Sequence, residues 1–186
     1  MKKLFNITLL LLATVFILSC RNGDDDIPED IHEHDEIGKV VLTLTNKADA
    51  ADIQTVNVVG GATDGHLHLH QGDTYIAVLD FQIKHDDHYH SSDEIEEEKD
   101  HHFIVFNPAD ADITLIRAAN DIVRTDGQKL GLRTEWKINS TQATGKMNIK
   151  LIHGPASVNQ NYPSASNQLG QTVGGETDVD ITVDAH

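Results

Sequence analysis

The histidines carry most of the chemistry this chain offers. Twelve are present, and eight of them fall between residues 66 and 102. "DGHLHLHQGD" (64–73) sets His66, His68 and His70 in strict alternation with Leu67 and Leu69. "KHDDHYHSSDEIEEEKDHH" (84–102) adds His85, His88, His90, His101 and His102 among acids that include Glu97 and Glu98. Imidazole is the commonest side-chain ligand for Zn2+, Cu2+ and Ni2+. Residues two apart on a strand face the same way at about 6.5–7 Å between Cα atoms, so His66 with His68, or His68 with His70, can chelate one ion. His66 and His70 lie about 13 Å apart on an extended chain, too far to share an ion there, whereas in a loop all three could converge. A full shell then needs ligands from residues 84–102 or from His153.

The acids raise the local cation concentration and can act as direct or outer partners. No D-x-[DN]-x-[DN]-G loop is present, and the interleaved imidazoles favour a borderline-soft ion over Ca2+. Zinc is the first expectation, with copper or nickel as alternatives. The cluster is also compatible with a solvated acidic loop, or with pH sensing as many imidazoles protonate below about pH 6.5. His153 shares parity with Met147, Ile149 and Leu151, so it ends an apolar strand face. It reads either as an edge-of-core histidine or as a ligand. His32 and His34 lie in a polar, acidic stretch, and His186 at the end of the sequence suggests no role.

Those groups must be positioned by strands. Apolar residues recur with period two through most of the chain after residue 38, which is the strand signal. The expected runs are 39–46, 53–59, 66–70, 74–84, 102–107, 112–119, 130–138, 146–153 and 177–184. Turn residues such as Asp126-Gly127, Gly154-Pro155 and Gly174-Gly175 separate several of them, and 154–176 reads as a long polar loop. No long amphipathic helix and no solenoid repeat is visible. The expectation is an all-β domain over 39–186, a single antiparallel β-sandwich of the Ig-like or Greek-key type with about eight or nine strands. Its His- and acid-rich loop spans 84–102.

The N-terminus reads as a leader. Lys2 and Lys3 precede an apolar run from Leu4 to Leu18, followed by Ser19 and Cys20, the only cysteine. This is the pattern of a secretory signal peptide over 1–19. "L-S-C" resembles the lipobox of bacterial lipoproteins, which implies cleavage before Cys20 and lipid attachment to its sulfur. Residues 20–38 then read as a lipidated, acidic, disordered tether. Asp24, Asp25 and Asp26 resemble the export signals of surface-exposed lipoproteins; a periplasm-facing outer-membrane lipoprotein is the alternative. One cysteine excludes an intrachain disulfide and leaves only N and O ligands. The formal net charge is −16, and losing Lys2 and Lys3 makes it two units more negative. Such a charge argues against nucleic acid and anionic membrane surfaces and favours cationic partners.

Several pieces together resemble a family. "VVLTLT", "DTYIAVLDF", "EIEEEKDHHF", "TDGQKLGLRTEW", "GKMNIKLIHGP" and "GGETDVDITV" occur in order, and the chain resembles the short all-β bacterial lipoproteins labelled type 1 periplasmic binding fold superfamily. The label implies a two-lobed α/β receptor, but this chain is short and lacks alternating helices. The resemblance brings no catalytic residues. It implies an accessory role in metal or nutrient uptake at the outer membrane, with an outer-membrane transporter as a possible partner. His102 and His153 sit in the two His-bearing pieces, so the resemblance implies a pre-organised site there.

The functional expectation is a non-enzymatic, metal-binding outer-membrane lipoprotein that captures, stores or hands over a divalent ion. An interaction module with incidental histidines is the alternative. A metalloenzyme is disfavoured, since no H-E-x-x-H or G-x-S-x-G is present. The likeness of "HLHLH" to copper–zinc superoxide dismutase lacks that family's disulfide. Glu97 or Glu98 beside a zinc-bound water would be the candidate base.

Overall fold

A computed structural model describes residues 36–186. The expected signal peptide, Cys20, most of the expected tether, His32 and His34 lie outside the described residues. The all-β, antiparallel expectation holds. Strand β1 (Ile37–Asn46) begins two residues inside the stretch read as tether and pairs with β2 (Ile53–Val59) and β4 (Thr74–His85). A two-residue strand, β3 (Ala62–Thr63), continues the sheet beyond β2. On its other side the sheet passes from β4 to β7 (Arg133–His153), which also carries β6 (His102–Arg117) and β12 (Glu176–Asp184). Eight strands thus belong to one hydrogen-bonded sheet, six of them in the order β12-β7-β4-β1-β2-β3 with a further strand paired to β4 and β6 paired to β7, and the division into two sheets expected of an Ig-like sandwich is not seen in the pairing. Alternating residues of β1, β2, β4, β6, β7 and β12 enter one apolar cluster, which includes Leu42, Phe106, Trp136 and Ile149. Among the described residues no helix is long and apolar enough to cross a membrane.

Two expected pairs of strands are continuous. Residues 102–107 and 112–119 belong mostly to β6, and 130–138 and 146–153 mostly to β7. The polar links "NPADA" and "NSTQATG" separate the expected runs, yet the two strands stay paired across them through register shifts at Ala109/Ala111 and Asp112/Ile113. Pro108 is tolerated because β6 pairs with β7 alone in the main sheet, so one of its edges needs no ladder donor. Gly145 is needed for close approach: a Cβ there would lie 2.4 Å from the Ala185 carbonyl oxygen.

The long loop 154–176 covers the free edge of β6. It carries the short strands β8 (Ser157–Asn159), β9 (Pro163–Ser164), β10 (Asn167–Gln168) and β11 (Gln171–Val173). The backbone N–H of Leu115 donates to Asn167 Oδ1 (3.0 Å), that of Arg117 to Gln168 Oε1 (2.9 Å), and that of Phe106 to the Leu169 carbonyl (3.0 Å). Side-chain and loop acceptors thus occupy donors that an open edge would offer to another chain.

The stretch 84–102 is partly ordered into elements. β5 (His88–Ser91) folds back on β4 as a hairpin, and a four-residue helix, α1 (Glu94–Glu97), plugs Ile95 into the core. The expected strand 66–70 is not a strand. Leu67 makes a single parallel bridge to Ala185, and both side chains are fully buried.

Candidate metal centre

His102 opens β6 and His153 closes β7, and the antiparallel register sets them directly opposite each other. On the far side of β7, β12 pairs Thr177 with Ile152 and Val179 with Leu151, leaving Asp178 as the extra residue of a β-bulge. A bulge re-aims a side chain that regular pleating would send elsewhere. Here it delivers the Asp178 carboxylate to the two imidazoles.

The three ligand atoms form a tight triangle. His153 Nδ1 lies 3.2 Å from His102 Nε2, and Asp178 Oδ2 lies 3.7 Å from His102 Nε2 and 3.8 Å from His153 Nδ1. The point in their plane equidistant from all three is about 2.1 Å from each, the length of a zinc–nitrogen or zinc–oxygen bond, and a tetrahedral ion would draw the three atoms in to about 3.4 Å of one another. Among the described residues this is the group of three metal-ligating side chains whose atoms all lie within 4.8 Å of one another.

The surroundings prepare His102 as a ligand. Its Nδ1 lies 3.1 Å from the Glu98 carbonyl oxygen, which can only accept, so Nδ1 carries the proton and Nε2 keeps its lone pair. A metal-binding histidine commonly has its other nitrogen held this way, which fixes tautomer and ring orientation. Burial lowers the pKa of His102 below the ordinary histidine value; the Glu98 bond and the Asp178 charge oppose this, and the neighbouring His153 adds to it. The ring is therefore neutral at neutral pH, the form that binds metal. With His102 Nε2 as acceptor, His153 Nδ1 is the donor of the bond between the two rings, and a bound ion would take the place of that proton.

Contacts from the 124–125 turn hold the segment that carries His102. Arg124 Nη1 donates to the carbonyls of His102 and Lys99, the latter at 2.9 Å, and Asp100 Oδ1 accepts from the Thr125 backbone at 2.7 Å. That last bond lowers the Asp100 pKa. The turn around Asp126-Gly127 thus clamps residues 98–102 while α1 supplies the Glu98 carbonyl. Access differs across the site. The His102 side chain is 2% exposed, His153 26% and Asp178 34%, so the triad is walled on one side and open on the other.

The other expected ligands fall into separate places. His101 is exposed, with its ring 6.1 Å from that of His153. Glu97 is exposed at the end of α1, and Glu98 contributes its carbonyl to His102. His85, His88 and His90 are exposed on the β4–β5 hairpin, where the rings of His85 and His90 are 6.1 Å apart. His66 and His68 meet the ring of His186 instead. His70 is exposed, and its backbone N–H donates to Tyr75 Oη at 3.2 Å. Asp178 was not singled out from sequence. In "TDVDITVD" it alternates with buried valines like any solvated acid, and only the bulge distinguishes it.

Comparison with protein-family models, with curated proteins and with solved structures finds no match. The chemistry of the site therefore rests on this chain's own residues.

Proposed function

We propose that the protein binds a divalent transition-metal ion, zinc first, through His102 Nε2, His153 Nδ1 and Asp178, and that it acts by capture and release rather than catalysis. One observation carries this reading: three ligand atoms stand 3.2, 3.7 and 3.8 Å apart with one imidazole already fixed in its ligand tautomer. Three protein ligands leave a fourth position open, unlike the closed four-ligand shells of structural zinc sites. An open position on the exposed side suits an ion that must be passed on. Zinc is favoured over Mg2+ or Ca2+ by two nitrogen ligands; copper and nickel share that preference.

The cellular setting extends the same proposal. A lipid on Cys20 would anchor the domain at the outer membrane, on the cell surface or facing the periplasm, beside a transporter that receives the ion. The acidic surface would concentrate cations near the site. Equilibrium dialysis of the full chain against Zn2+ tests the binding. Tight, saturable uptake in the micromolar range or below is expected, together with no metal-dependent turnover on hydrolase and superoxide panels. Affinity weaker than millimolar would rule the reading out.

A further inference from the structure

The chain end and the "HLHLH" stretch meet on the far side of the pairing that buries Leu67 and Ala185. The Leu67 N–H donates to the Asp184 carbonyl (2.8 Å), the His186 N–H to the Leu67 carbonyl (2.9 Å), and the Leu69 N–H to the His186 carbonyl (3.0 Å). This is a short parallel ladder. Leu67, Leu69 and Ala185 face the core, so His66, His68 and His186 share the outer face. The other edge of the stretch is held as firmly. Gln54 Nε2 donates to the His68 carbonyl (2.8 Å), and the His68 N–H donates to Gln54 Oε1 (2.7 Å).

Three imidazoles therefore cluster on a fixed backbone. Ring centres lie 4.4 Å apart for His66 and His68, 5.0 Å for His66 and His186, and 6.3 Å for His68 and His186. Imidazoles sharing one tetrahedral ion at bonds of ~2.0–2.1 Å hold their ring centres about 5 Å apart. The observed separations bracket that value, but the His66 and His186 rings lie nearly parallel, 8° apart, so the rings must turn before their nitrogens can share an ion. His66 and His68 are both exposed, so their rings can turn to converge without disturbing the core. His186 Nδ1 is buried without a hydrogen-bond partner among the described residues, and in the tautomer that leaves its lone pair free an ion could satisfy it.

We propose that His66, His68 and His186 form a second metal site, an all-imidazole one for an imidazole-preferring divalent ion, with Cu2+ bound most tightly. It is independent of the His102 centre, with which it shares no ligand. Its ligands also differ in kind: three nitrogens, against two nitrogens and a carboxylate oxygen.

Cu2+ titration of the full chain, read by electron paramagnetic resonance, tests it. The titration is run with the first centre intact and in an Asp178→Asn/His153→Gln background. In both, the second ion is expected to show coupling to three nitrogens. His186→Ala and His66→Gln should each weaken its binding by more than about 10-fold and reduce the coupled nitrogens to two. The proposal is overturned if His186→Ala leaves affinity and nitrogen count unchanged. It is overturned equally if this ion disappears in His85→Ala/His88→Ala/His90→Ala instead. Failure of the first centre would show separately, as unchanged zinc binding in the Asp178→Asn/His153→Gln background.

Discussion

His102→Ala weakens zinc binding by more than about 100-fold, because even the outer partners of metal ligands are worth about 10–100-fold. The substitution removes the Nε2 lone pair and leaves the Glu98 carbonyl with the His101 backbone N–H but without its imidazole donor. Asp178→Asn is the gentler companion. It keeps the side chain's size and the bulge but removes the charge, so it should lower affinity while leaving the fold intact. The triple replacement of His85, His88 and His90 by Ala should leave the tightest binding phase unchanged, since those rings lie exposed on the β4–β5 hairpin and outside the triad. Competition with a chromophoric chelator measures all three. Equal losses in the hairpin variant and the His102 variant would mean that the exposed cluster, not the triad, holds the ion.

Asp121→Ala destabilises the protein by about 1–3 kcal/mol for each of the two backbone N–H groups it leaves without an acceptor. Asp121 is 5% exposed and accepts from the backbone N–H groups of Gly131 (2.7 Å) and Arg133 (3.0 Å). Its charge opposes the burial of Arg117, whose pKa is pushed down to about 9 and which stays protonated at neutral pH. Arg117 in turn donates to the carbonyls of Lys129 (2.9 Å) and Ile104 (2.6 Å) and stacks 4.2 Å from the centre of the Phe103 ring. Gly131 and Gly170 close over it, and a Cβ at either would strike its guanidinium. The exposed Lys150–Asp180 pair is the contrast: Asp180→Ala should cost no more than about 1 kcal/mol. Urea unfolding of both variants checks the difference. A small loss for Asp121→Ala would mean that Arg117 tolerates burial without a counter-charge. Arg117 matters for the site because it grips the carbonyl of Ile104, two residues from His102.

Strand positions were legible where alternation was clean. β1, β2, β4 and β12 match the apolar periods of "KVVLTLTN", "IQTVNVV", "TYIAVLDFQIK" and "TDVDITVD" to within two residues. Joining 102–107 to 112–119, and 130–138 to 146–153, was not legible. Their polar links carry turn-like residues, and only pairing of one long strand with the other keeps both extended. The same limit hides the sites. Asp178 becomes a partner of His102 and His153 through a bulge and two neighbouring strands. His186 reaches His66 and His68 through a parallel bridge that spans almost the whole domain. Local pattern marks which residues can bind metal. Long-range register decides which of them meet.

The most direct test is an anomalous difference map from crystals of the full chain grown with one equivalent of Zn2+. The account predicts one dominant peak at about 2.0–2.1 Å from His102 Nε2, His153 Nδ1 and an Asp178 carboxylate oxygen. A dominant peak on the His85–His90 hairpin, with none at the triad, would contradict it.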